Sequence, residues 1–279
     1  MQLELISKNK TFNGSQDVYK HYSDICKCDM TFGLYLPEIA YRKKVPLLWF
    51  LSGLTCTHEN AMTKAGAQQW ASEKGLALIF PDTSPRGQSV PNHDDFDLGQ
   101  GAGFYLDAKS SPWDKHFNME TYIVDELSMI VFKNFNLDNF MQGITGHSMG
   151  GLGALNFAIK NPRKFRSVSA FSPIANPIKS EWGQKQFTAY LGTNTTIWQD
   201  YDPSNLIRKF GFETKILIDQ GQDDNFLDLL MPKSLSNQFD ENNALGEFRY
   251  QPGYDHSYFF VSTFMRDHIK HHAAILNAL

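Results

Sequence analysis

Apolar and polar positions follow two rhythms along this chain, and the changes of rhythm divide it into strands and helices. Near the start, positions 2–10 alternate weakly, and 30–36 carries β-favouring residues that stop at Pro37. Val45–Leu51 (VPLLWFL) and 76–80 (LALIF) are nearly continuous apolar runs. Runs of strand length without polar alternation predict strands covered on both faces, as in a parallel sheet. Helical spacing then separates further strands. Positions 58–74 read as one helix closed by Gly75. Positions 119–135 place Ile123, Leu127, Ile130 and Val131 on one helical face. Strands are expected over 140–145, 165–171, 215–220 and 247–251, and helices over 149–160, 180–191, 231–240 and 262–279. Alternating strands and helices predict an α/β class: a mostly parallel central sheet with an antiparallel N-terminal start and helices on both faces. No repeat, low-complexity tract or linker interrupts the chain, so a single domain over 1–279 is expected. Positions 83–118 lack periodicity and contain the glycine-rich GQGAGFY, and a loop this long inside a domain predicts a functional segment.

Composition narrows the partners. The 279 residues, 42% hydrophobic and 20% charged, are those of a globular chain. A chain of this length buries roughly three quarters of its unfolded surface. Its 26 basic against 30 acidic residues give a net charge of −4, a poor electrostatic match to nucleic acid or to an anionic membrane. Positions 1–10 hold no apolar signal core, and the longest apolar runs are far below the ~20 residues that cross a bilayer. Cys26, Cys28 and Cys56 are odd in number and lack the C-x-x-C spacing of a zinc site, so neither a disulfide framework nor a metal is expected. A reducing, cytoplasmic location follows.

One motif carries chemistry. Gly146-His147-Ser148-Met149-Gly150, with Gly151 behind it, matches G-x-S-x-G between an expected strand and an expected helix. A serine on such a turn is strained and exposed to substrate, and the glycines on either side let strand and helix pass closely. A nucleophilic serine needs a base, and the base needs an acid to orient it. Five of the nine histidines follow Gly146. His147 belongs to the turn itself. His268, His271 and His272 share i, i+3, i+4 spacing on the last helix and are expected on a solvated face. His256, between the last strand and the last helix, stands where the base belongs. The acid is expected after the 215–220 strand, where Asp223 and Asp224 both qualify, while Asp219 lies in the strand and reads as structural. The backbone N–H of Met149 and that of Leu54, after Ser52-Gly53, are the expected oxyanion donors.

These residues, with the stretches LSGLTCT (51–57), GQGAGFY (99–105), GHSMGG (146–151), DQGQDDNF (219–226) and GYDHSYFF (253–260), resemble the S-formylglutathione hydrolase (esterase D) family over most of the chain. The resemblance implies an α/β-hydrolase fold and hydrolysis of S-formylglutathione to formate and glutathione, a step in formaldehyde detoxification, with side activity on short-chain esters. It assigns the nucleophile to Ser148, the base to His256 and the acid to Asp224, and places Leu54 and Met149 as oxyanion donors. Cys56 matches a cysteine beside the site, and Trp182 a tryptophan near the acyl pocket. No cofactor is implied, and a homodimer is. A general carboxylesterase or an acyltransferase on the same fold is the alternative. Because the implied substrate is anionic, local basic residues are needed; Lys109, Lys115, Lys179 and Lys185 lie in segments that could supply them.

Overall fold

Successive residues of β4 (Val45–Leu51) pack into two different cores, as the period of a strand requires. Leu47, Trp49 and Leu51 join one apolar cluster, with Ile144, Leu152, Phe157 and Phe187. Leu48 and Phe50 join another, with Ala61, Ala71, Phe260 and Ile269. The computed structural model, which describes residues 3–211, 214–241 and 245–278, therefore has helices on both faces of its sheet. Around β4 the sheet is ordered β1-β2-β3-β5-β4-β6-β7-β8-β9, the other strands being β1 (Glu4–Thr11), β2 (Gly14–Ser23), β3 (Cys28–Leu36), β5 (Ala77–Pro81), β6 (Leu137–His147), β7 (Phe165–Phe171), β8 (Ile216–Gly221) and β9 (Gly246–Gln251). Pairs up to β3–β5 are antiparallel, and pairs from β5–β4 onward are parallel. This is the α/β architecture expected, antiparallel start included.

The structure adds one strand and changes two local expectations. First, β2 has no apolar pattern, yet most of it is buried, because its polar groups are partnered. Tyr19 donates to Asp17 at 3.1 Å, Gln68 donates to Gln16 at 3.0 Å, and the His21 ring bonds the Tyr122 hydroxyl at 3.1 Å. Second, the helix expected over 58–74 is two, His58–Lys64 and Ala67–Lys74, broken at Gly66 with φ of 65°. Third, His268, His271 and His272 are not on a solvated face. Their helix, Tyr258–Leu276, lies on the sheet, and His268 and His272 are fully buried. Ser169 gives its proton to Thr145, so it accepts from His272 Nε2 at 2.8 Å, and Ser167 donates to Nδ1 at 2.8 Å. His271 donates to the Val168 carbonyl at 3.0 Å, and burial lowers its pKa to about 4. His271 and His272 are neutral hydrogen-bonding groups that fasten the helix to β7, and His268 bonds Asp219 in β8. Among the described residues no helix is long and apolar enough to cross a membrane.

Asp219 fastens the end of the sheet. Its carboxylate accepts from Arg249 Nε and Nη2 at 2.7 and 2.6 Å, from Gln251 at 2.8 Å and from His268 at 3.0 Å. Burial alone would raise this carboxyl, but the bonds from His268, Arg249 and Gln251 bring it down to about 2. A depressed carboxyl adds stability above its unfolded pKa and loses it as pH falls through the folded one. Between about pH 4 and pH 2 the protein should lose about 2 kcal/mol through this group. Acid titration of unfolding checks it: Asp219→Asn should be less stable at pH 7 and should lose less on acidification than the unaltered protein.

Candidate active site

The loops at the carboxyl ends of β4, β6, β8 and β9 meet in one place, the crevice position of parallel α/β sheets. At the end of β6 the chain turns sharply into the helix Met149–Lys160, and Ser148 occupies the turn with φ 58° and ψ −120°. A side chain at Gly146 would sit 2.1 Å from the Gly150 carbonyl oxygen, and one at Gly150 would sit 2.0 Å from that of Leu51. The glycines of the motif are therefore required by contact between strand, turn and helix, and not merely by local flexibility. The Ser148 N–H donates to the Phe171 carbonyl at 2.9 Å, tying the strained residue to β7.

The segment after β4 crosses the same point. A Cβ on Gly53 would lie 3.2 Å from the Ser148 Cβ. Neither the Leu54 nor the Met149 N–H has an acceptor among the described residues. Two N–H groups beside one serine, one of them at a helix N-terminus, suit a developing oxyanion. This segment is braced from the long 83–118 loop. The Thr55 N–H donates to Gly101 at 2.9 Å, Arg86 donates to the Cys56 carbonyl at 2.8 Å, and the Tyr105 hydroxyl donates to the Ser52 carbonyl at 2.8 Å. Arg86 is itself held on Asp82 at 3.0 and 3.2 Å. The loop contains no strand beyond the single Asp107–Asn118 bridge, and it is packed through buried Phe104, Tyr105, Leu106 and Phe117. Arg86 and Tyr105 escaped the sequence reading, although GQGAGFY marked the segment.

Of the two acids after β8, Asp224 is buried and meets His256, with Oδ2 2.6 Å from Nδ1. Asp223 is exposed, and only its backbone N–H is tied, to the Tyr254 carbonyl at 2.9 Å. Asp224 also accepts from Phe226 N–H at 2.8 Å and from Gln220 Nε2 at 3.1 Å. Burial would raise its carboxyl, but the bond and charge of His256, with the Phe226 hydrogen bond, hold it below the ordinary carboxylate range. It is therefore an anion at neutral pH. The ring of His147 stands 4.6 Å from that of His256 and 5.4 Å from Tyr258. Burial first, and the charge of His256 second, push its pKa well below the usual histidine value, so no second cation forms beside His256.

Ser148 and His256 line a cavity of about 250 Å³. Leu54, Cys56, Phe96, Trp182, Phe226 and Leu230 form most of its wall. The Cys56 thiol is raised by burial, away from the reactive thiolate. Trp182 donates its indole N–H to Asp97 at 2.6 Å. None of Lys109, Lys115, Lys179 and Lys185 lines this cavity, and Lys185 is bound to Asp95 and Asp97 at 2.9 and 2.7 Å.

Comparison with known proteins agrees with this arrangement. The Esterase family matches residues 23–271. An S-formylglutathione hydrolase of Paracoccus denitrificans is 57% identical over 270 residues, 97% of each chain. One of Rattus norvegicus is 49% identical over 282 residues, all of both chains. The structure of an S-formylglutathione hydrolase from Agrobacterium tumefaciens superposes with a TM-score of 0.95 at 43% identity, covering 98% of this chain and 99% of that one. With the Esterase family matched over most of its length and relatives of this identity, the chain is a hydrolase that belongs to the S-formylglutathione hydrolase family of esterases.

Proposed function

We propose that this enzyme hydrolyses S-formylglutathione to formate and glutathione by double displacement, with Ser148 as nucleophile, His256 as base and Asp224 as its orienting acid. The 2.6 Å Asp224–His256 contact beside the Ser148 turn is the observation that carries the reading. Ser148 Oγ attacks the formyl carbon while His256 takes its proton through the ring nitrogen opposite Asp224. Asp224 keeps Nδ1 protonated and stabilises the imidazolium. The N–H groups of Leu54 and Met149 receive the oxyanion, a contribution of roughly 3–4 kcal/mol per donor. The C–S bond breaks and glutathione leaves as the thiol, taking the proton from His256. Water, deprotonated by His256, then attacks the formyl ester and releases formate. The relatives named S-formylglutathione hydrolase support the substrate.

The cavity supports it further, since a wall of Trp182, Phe226 and Leu230 beside Ser148 can select among acyl groups. One additional methyl group in such a pocket is worth about 10- to 200-fold. The enzyme should therefore prefer S-formylglutathione over p-nitrophenyl acetate by about 100-fold in kcat/KM. A ratio near or below one would instead make it a general short-chain carboxylesterase. A cytoplasmic location is supported by three unpaired cysteines and by the need for a glutathione-rich compartment. Assembly as a homodimer is supported by the family resemblance, and sedimentation tests it.

A further inference from the structure

Asp97 lies in the long loop that braces the site, and it is 2% exposed although its neighbour Phe96 is 62% exposed. Three donors from one face of the helix Glu181–Leu191 converge on it. Trp182, Lys185 and Gln186 stand at i, i+3 and i+4 and so project together. Oδ2 accepts from the Trp182 indole at 2.6 Å and from Gln186 Nε2 at 2.8 Å, and Oδ1 accepts from Lys185 at 2.7 Å. Burial would raise this carboxyl, but Lys185, Trp182 and Gln186 bring it below its ordinary value, as they must if it is to hold them as an anion. Bonds from a charged acceptor are the strong ones, and an indole N–H has no other polar group with which to anchor its ring.

One of the three donors tied to this carboxylate is a wall of the cavity. Trp182 lines it directly, and Phe96, exposed and weakly packed, lines it from the position next to Asp97. Phe104 meets the indole edge-on, at 6.4 Å between ring centres, and the indole packs against the main core, while its one polar atom is held by Asp97.

We infer that Asp97 is a positioning residue that sets the width of the acyl cavity through Trp182, and so decides which acyl groups reach Ser148; this rests on the reading of Ser148 as nucleophile. The test is the ratio of kcat/KM for p-nitrophenyl butyrate to that for p-nitrophenyl acetate. Asp97→Ala should raise this ratio about tenfold, the worth of a small change in pocket size. Trp182→Phe, which keeps a ring but removes the N–H, should raise it similarly. The double variant should go no further than Trp182→Phe alone, because both changes break one link. Asp97→Asn, which keeps the shape and one carbonyl acceptor, should return most of the selectivity. A lowered melting temperature with an unchanged ratio would make Asp97 merely structural and overturn the inference. So would additive shifts, or a shift in Asp97→Ala with none in Trp182→Phe. Ser148→Ala separates the two levels: if it still hydrolyses these esters, the assignment of the nucleophile fails; if it does not, an unchanged ratio counts against Asp97 alone.

Discussion

Ser148→Ala should lower kcat for S-formylglutathione by about a million-fold, the cost of removing the nucleophile from a serine hydrolase whose parts act as a unit. No neighbouring group replaces it. Cys56 lines the same cavity, but its thiol is raised by burial and lies on the oxyanion segment, not at the turn. The rate that survives should be the contribution of binding and the two N–H donors, about 10³- to 10⁴-fold over water. The fold should be untouched. Alanine keeps the Cβ that meets Gly53, and the turn is held by the Ser148 N–H bond to Phe171 and by the glycine contacts, none of which uses the hydroxyl. Single-turnover kinetics and a melting curve on the same preparation check both halves. Activity above about one thousandth of the original, with an unchanged melting curve, would rule out Ser148 as the nucleophile.

Asp224→Asn should lower kcat by about 10⁴-fold, the size of effect seen when the orienting acid of a triad is replaced by its amide. The geometry shows why. Oδ2 faces two donors, His256 Nδ1 at 2.6 Å and Gln220 Nε2 at 3.1 Å, while Oδ1 faces the Phe226 N–H at 2.8 Å. An asparagine has one acceptor oxygen for two sites that both require an acceptor. With its oxygen toward Phe226, its NH₂ faces His256, and the ring answers by moving its proton to Nε2, where it can no longer accept one from Ser148. With its oxygen toward His256, a buried N–H is left without a partner. Labelling of Ser148 by a fluorophosphonate should slow in parallel with kcat. Asp223→Asn, on the exposed side chain next door, should stay within about twofold. An Asp224→Asn enzyme within about tenfold of the original would exclude Asp224 as the orienting acid.

Much of this was legible from the chain alone, and for a consistent reason. Val45–Leu51, Met149–Lys160 and Phe165–Phe171 fall where the sequence pattern places them, the first because it is almost wholly apolar and the helix because its apolar residues follow a glycine turn. The strand Gly14–Ser23 was invisible because its buried polar groups are satisfied by Gln68 and Tyr122, which are remote in sequence. The three histidines of the last helix misled for the same reason. Polar residues read as solvated until Ser167, Ser169 and Asp219 are seen opposite them. In the site, spacing alone located the serine turn and the loop of the base, since those depend on local backbone geometry. It left Asp223 and Asp224 equivalent, because adjacent residues differ in direction rather than in position along the chain.

By itself, then, the order of residues determined an α/β sheet with helices on two faces, a sharp serine turn after one strand, and Asp224 and His256 on later loops. These follow from apolar period and from glycine and serine at fixed offsets, which are local properties. Tertiary structure alone decided that Asp224 and not Asp223 meets His256, that Arg86 and Tyr105 brace the segment after β4, and that Asp97 accepts the Trp182 indole N–H. Each depends on a contact between segments distant along the chain, and hydrogen-bonding groups so far apart leave no periodic trace.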